Sequence, residues 1–287
     1  MDKSSAAICY AFLEKSPPEQ RRALLKHFTE EEAKAFSVPH SFQGDPTSGV
    51  PLLEEELTRV HYSWFSPFLR SLPEGDIKLF LGCLTENQQK GLKQSLLFSN
   101  HIPALSELGK LFLQRQIFST LNPPEDLLPL SCLPAAPINA LLGLNYEELL
   151  SLIHLLSMHD LAVEIRQIID TAKLKRIYGL LSQPQTNFLK TLIYRKEPVV
   201  FKKLELTKWD GRTDTLTATL EQRGMNRLAK ALYIEDFSLM WYIAHRLDVD
   251  HGMTLIKLCT PLDHPRAAIL LSEQVTDLIQ SIKNQEM

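Results

Sequence analysis

Two histidines and two aspartates fall within seven residues in His245-Arg246-Leu247-Asp248-Val249-Asp250-His251. Imidazole nitrogens and carboxylate oxygens are metal ligands, so this set can support a metal-dependent enzyme. Its spacing argues the other way. On a helix His245 and Asp248 share a face, Asp250 points elsewhere, and His251 falls beyond the expected helix end. No second histidine-rich segment stands at a metal spacing. The competing reading is a helix C-terminus, with His245 and Arg246 near the negative end of the dipole and a capping turn at Gly252. Asp263-His264-Pro265 resembles an acid–base pair, but a loop whose Asp263 or His264 caps a helix starting at Pro265 explains it better.

The second constellation is aromatic. Tyr62, Trp64 and Phe65 lie in the run His61–Phe68, and Trp241-Tyr242 lies on a late helix. Tryptophan and tyrosine are enriched at docking hot spots, which makes these five residues candidate protein-binding positions. They also carry the largest burial payload, so a core plug is the competing reading.

Other chemistry is thinly represented. The sequence contains no G-x-x-x-x-G-K-[ST], G-x-G-x-x-G, G-x-S-x-G or H-E-x-x-H, and with only 11 glycines it has little material for phosphate-cradling loops. The pairs Arg21-Arg22 and Lys202-Lys203 read as solvated helix faces. A net charge of −3 gives no sign of a basic nucleic-acid face. Cys9, Cys83, Cys132 and Cys259 are scattered without a C-x-x-C, as expected for free thiols in a reducing compartment. No catalytic residue, metal or cofactor is assigned on these grounds.

The elements that position these residues are announced by a repeat. At an offset of 56, FLEKSPPEQRRALLKHFTEEEAKAF (Phe12–Phe36) lies over FLRSLPEGDIKLFLGCLTENQQKGL (Phe68–Leu92) without a gap, and seven of 25 positions are identical. Among them are Pro17/Pro73, Leu25/Leu81 and Thr29/Thr85. Ser16, Pro17 and Glu19 form a helix start, with Ser16 as cap. Thr29 with Glu32 starts the next helix, and Thr85 does so in the second copy. The second copy carries the stripe Ile77, Phe80, Leu81 and Leu84 behind Pro73-Glu74. Leu141, Leu144, Asn145 and Glu148 make a weaker third copy at an offset of 116.

The expected organisation is an N-terminal helical unit (1–36), a linker (37–51), a second unit (52–120), a proline-rich connection (121–137) and a C-terminal helical domain (138–287). Five prolines in Leu121–Pro137 exclude one regular helix there. In the C-terminal part, helices are expected over Tyr146–Leu156, Leu161–Leu181, Gln185–Tyr194, from Thr213 or Asp214 to Leu232, from a cap at Asp236 to Leu247, and over Pro265–Lys283. Val199–Leu220 contains Asp210-Gly211 between β-rich flanks and admits a hairpin; the helical surroundings favour helix–turn–helix. The fold class is therefore all-α, with helix–turn–helix units in a right-handed superhelical or bundle-like array in two parts. The N-terminus has no long apolar core of a secretory leader and no stretch suits a membrane span. A cytoplasmic location without membrane insertion is expected.

The helix pairs Ser16–Phe36 and Leu72–Leu92, each with a capped turn before an L-x-x-L stripe, resemble the helical units of the flagellar rotor switch protein FliG. Leu220–Asp248 has the same texture. The chain as a whole resembles helical proteins encoded with type III secretion systems, chlamydial ones among them. The linker Ser37–Pro51 and the proline-rich Leu121–Pro137 depart from a continuous rotor-type array, and none of that family's functional residues carries over. The resemblance implies a non-enzymatic scaffold or adaptor that binds other secretion-apparatus components, peripheral to a membrane-embedded complex. Stacked units also allow docking between copies of the chain. A secretion chaperone that binds an effector, and a host-acting effector, are the alternatives.

Overall fold

The computed structural model describes Leu13, residues 16–29, Ala33, 53–124, 126–201, Leu204, Leu206, 209–262 and 264–285. The helix expected after Thr29, the linker 37–51, Lys202, Lys203 and Asp263 lie outside the described residues. The α-helices are α1 (Pro18–Leu25), α2 (Ser66–Leu69), α3 (Glu74–Gly82), α4 (Glu86–Leu96), α5 (Glu107–Thr120), α6 (Tyr146–Ile165), α7 (Thr171–Leu180), α8 (Gln183–Ile193), α9 (Thr213–Leu232), α10 (Phe237–Arg246), α11 (Val249–Leu258) and α12 (Pro265–Gln285). Short 3-10 helices cover Leu53–Arg59, Tyr62–Trp64, Leu130–Cys132 and Pro137–Gly143. No strand occurs among the described residues, so the protein is all-α and Val199–Leu220 is not a hairpin.

The chain divides into two compact units: 1–55 with 129–132, and 56–128 with 133–287. In the first, α1 starts one residue later than its sequence suggests. Pro17 is the cap residue, Pro18 the first helical residue, and no side chain caps the helix. The repeat makes sense of this. Pro73 stands in the same extended conformation before α3, so α1 and α3 begin at equivalent positions 56 residues apart. A proline held near φ −60° cannot continue a helix backwards and orients the next residue to start one.

In the larger unit the caps are local and strong. Thr85 and Gln88 form a reciprocal capping box on α4, Asn145 and Glu148 on α6, Ser182 and Gln185 on α8. Each box satisfies two backbone N–H groups that a helix start leaves open. The Gln88 side chain also donates to the carbonyls of Leu57 (2.7 Å) and Val60 (2.8 Å), so one buried amide starts α4 and ties down the preceding 3-10 helix.

α6 has no single apolar face, and most of its residues are buried inside the unit. One core cluster gathers Leu149, Leu152, Ile153 and Leu156 of α6 with residues of α9, α10, α11 and α12. A second gathers Met158, Leu161 and Ile165 of α6 with residues of α7, α8 and the first half of α9. The two 20-residue helices α6 and α9 thus run through both clusters. Gly224 allows their close approach, because a Cβ there would fall 1.9 Å from the Ile153 carbonyl oxygen.

Two boundaries differ from the sequence expectation. α6 does not stop at Leu156; it continues to Ile165, and the break comes before Asp170, which caps α7. Ser157, His159 and Asp160 read as a polar interruption, yet all three are buried and bonded inside the helix bundle. Gly252 is likewise not a terminal cap. It lies within α11, where a Cβ would collide with the Ala244 carbonyl oxygen (2.3 Å) and the Trp64 ring (2.6 Å).

Candidate functional site

The structure brings the two aromatic groups of the sequence together. Trp64 stacks on His245 (ring centroids 4.2 Å apart, 28°), and His245 stacks on Trp241 (3.9 Å, 28°). Trp241 packs edge-on against Tyr242. The backbone follows the same seam. His61 N donates to His245 O (2.8 Å), Trp64 Nε1 donates to Leu247 O (2.9 Å), and Val249 N donates to Ser63 Oγ (2.8 Å). The C-terminus of α10 and the N-terminus of α11 leave these groups without intrahelical partners, and residues 61–64 supply them.

This placement favours the core reading of these aromatics over the docking one. Phe65, Trp241 and Tyr242 are 1%, 4% and 3% exposed, and the Tyr242 hydroxyl donates to Leu128 O (2.8 Å). Tyr62 and Trp64 are half-buried in the seam. Aromatic area of this size is worth more in the core than at a surface that nothing covers.

No group of three His, Cys, Asp or Glu side chains among the described residues is arranged to hold a metal ion. His245 is buried between two tryptophans with Nδ1 2.8 Å from Trp241 O, and burial lowers its pKa to about 4. Asp248 caps α11 through its side chain, whose Oδ1 accepts from Asp250 N and His251 N. His251 turns away from His245 and sits between two carboxylates: Nδ1 is 2.5 Å from Asp248 Oδ2, and Nε2 contacts Glu221 of α9. Tyr146 donates to Asp248 Oδ2 (2.9 Å). Burial alone would lower the His251 pKa, but Glu221 and Asp248 outweigh it and the pKa is raised. Burial alone would raise that of Asp248, but bonds from His251 and Tyr146 outweigh it and the pKa is lowered. Both His251 imidazole nitrogens are engaged by carboxylates, so the cluster joins α6, α9 and α11.

One polar network had not been singled out in the sequence. Arg227 of α9 is fully buried, and its guanidinium donates to Asp160 Oδ1 (2.6 Å), Glu197 Oε1 (3.2 Å), Gln274 Oε1 (2.9 Å) and Val199 O (2.9 Å). The Phe201 ring lies 5.3 Å from its central carbon. His159 Nδ1 stands 2.6 Å from Glu197 Oε2. Burial would raise the Glu197 pKa, but His159 and Arg227 outweigh it and hold it at about 2. The network clamps the segment after α8 onto the bundle. Its signal was an arginine on the core-facing stripe Leu216, Leu220, Gly224, Arg227 and Ala231.

The apolar surface lies elsewhere. Tyr233, Ile234 and Phe237 at the α9–α10 turn are 44%, 44% and 54% exposed. Ile269 of α12 is 51% exposed. The Glu235 carboxyl is hydrogen-bonded to Ser272, three residues beyond Ile269 on α12, which places the turn beside that helix. No described helix is long and apolar enough to cross a membrane.

Comparison with family models, curated proteins and solved structures finds no match to this chain.

Proposed function

We propose that this protein is a non-enzymatic scaffold or adaptor that binds other proteins of a multiprotein assembly. The observation that carries the reading is the exposed apolar face of Tyr233, Ile234, Phe237 and Ile269. Exposed large apolar side chains gathered near one helix turn favour a protein partner that covers them. The assembly proposed is the cytoplasmic part of a type III secretion apparatus; the capped helix-pair repeat supports that assignment. The partner is then another apparatus component, and self-association through the same face is the homo-oligomeric form of the proposal.

The test is affinity capture of tagged protein from its native cells, compared with Phe237→Asp and Ile234→Asp variants of unchanged melting temperature. Recovery of export-apparatus ATPase, stalk or ring components, lost in both variants, supports the scaffold. Recovery of one secreted client alone makes the protein a secretion chaperone instead. Equal recovery by wild type and variants removes this face from consideration.

A further inference from the structure

A cleft of about 930 Å³ in the larger unit is lined by Arg59, His61, Tyr62, Tyr146 and Arg246 and by the end of the 3-10 helix Pro137–Gly143. Two guanidiniums reach one backbone oxygen there: Arg59 Nη1 is 3.4 Å from Leu142 O, and Arg246 Nη1 also contacts it. The Lys283 ammonium stands beside the next residue, 3.1 Å from where a Cβ on Gly143 would lie. Three cations therefore gather at the negative end of one short helix.

Their compensation is incomplete. Glu56 Oε2 lies 3.7 Å from Arg59 Nε and 3.9 Å from Arg246 Nη2, both longer than hydrogen bonds. The Arg246 side chain is 7% exposed, and its Nη2 and the Glu56 Oε2 that faces it both lack a hydrogen-bond partner. Glu147 also lines the cleft, in the first turn of α6, where the helix dipole favours a negative charge. Burial first, and the neighbouring Arg59 second, bring the Arg246 pKa down to about 10. A buried cationic nitrogen without an acceptor is costly, and an oxyanion offers paired lone pairs that match a guanidinium edge.

Beside the arginines is a rigid aromatic wall. His61 lies between Tyr62 (ring centroids 4.4 Å) and Tyr146 (4.7 Å). Tyr62 is in turn held against Gly91, where a Cβ would come within 2.4 Å of its ring. We propose that this cleft binds a small phosphorylated ligand, its phosphate on Arg59 and Arg246 and a planar organic body along the aromatic wall.

Inorganic phosphate and phenyl phosphate are the probes, with sodium chloride at equal ionic strength as the control. Both should raise the melting temperature saturably, phenyl phosphate at the lower concentration. Arg59 is exposed, so Arg59→Gln should keep the fold and weaken both ligands by about tenfold, as expected for loss of a charge-assisted contact. Tyr62→Leu should remove the advantage of phenyl phosphate and leave inorganic phosphate binding intact. Arg176→Gln, on α7, should change neither. A response equal to that of chloride, or affinities unchanged in Arg59→Gln, overturns the proposal.

Discussion

The ring of Trp64 lies over that of His245 at 4.2 Å and 28°, and the indole Nε1 donates to Leu247 O just beyond it. One side chain therefore both covers a neutral histidine and terminates the helix that carries it. The pairing joins the segment before the second repeat copy to the last third of the chain. We expect Trp64→Ala to cost about 3 kcal/mol, the range for removing a large aromatic from packed surroundings. Trp64→Phe should cost about 1 kcal/mol, because the stack survives and the hydrogen bond does not. Urea midpoints measure both, and a Trp64→Ala midpoint at the wild-type value contradicts the seam.

His245 makes the fold sensitive to acid. Its folded pKa of about 4 lies below the ordinary histidine value of 6.5. Below pH 6.5 the unfolded chain takes up a proton that the folded protein refuses until about pH 4. Stability should fall across that window by roughly 3 kcal/mol from this residue. His245→Phe should remove this component, seen as a flatter profile of melting temperature between pH 4 and 6.5.

His251 acts in the opposite direction. Its pKa is raised in the fold by Glu221 and Asp248. The stabilisation is complete below about pH 6.5 and is lost as pH rises through the folded value. The Asp248 side of the pair, with its lowered pKa, is stabilising above its ordinary value of 3.8 and lost as pH falls below it. In His251→Gln the decline of stability from pH 6.5 to 9 should be shallower than in wild type. An identical slope in the two proteins contradicts the contact.

Arg227 is the residue whose removal leaves the most uncompensated charge. Arg227→Met strands Asp160 and Glu197 inside the bundle, at a cost of about 3–5 kcal/mol. Arg227→Lys should also lose most of this, since one ammonium cannot replace a planar fork that serves four acceptors. In Arg227→Met the Glu197 pKa should rise from about 2, where His159 and Arg227 hold it against burial. Denaturation at pH 7 and carbon-13 titration of the Glu197 carboxyl check the two effects.

Leu81 and Leu25 occupy equivalent repeat positions but are not equally buried. Leu81 is 0% exposed, whereas Leu25 is half-buried on α1. Leu81→Asp should cost at least about 4 kcal/mol by burying an unpaired carboxylate. Leu25→Asp should cost less than half as much, because its carboxylate keeps access to water. Equal losses would show that the repeat governs stability independently of burial.

Much of the local structure was legible because its causes are local. Thr85 before α4, Asn145 before α6 and Asp236 before α10 each accept from a backbone N–H two or three residues on, and Pro73 fixes the backbone just before α3. The span of α9 was readable from its apolar period, although Arg212 precedes it without a side-chain cap. The continuous course of α6 was not. Ser157, His159 and Asp160 have the polarity of a loop; Ser157 bonds back to His154 O, and partners on distant elements, Glu197 and Arg227, make His159 and Asp160 acceptable inside a helix.

The candidate sites show the same division. By itself the sequence determined the all-α class, most helix starts and the equivalence of α1 with α3, since hydrophobic period and capping depend on neighbours along the chain. Only the tertiary structure decided that Trp241, Tyr242 and Phe65 are core, that His245 and His251 belong to separate clusters, and that Arg59 and Arg246 meet at Leu142. Burial and charge pairing are set by which helices approach one another, and that choice is made by contacts far apart in sequence, such as Gly224 on Ile153 and Trp64 on Gly252.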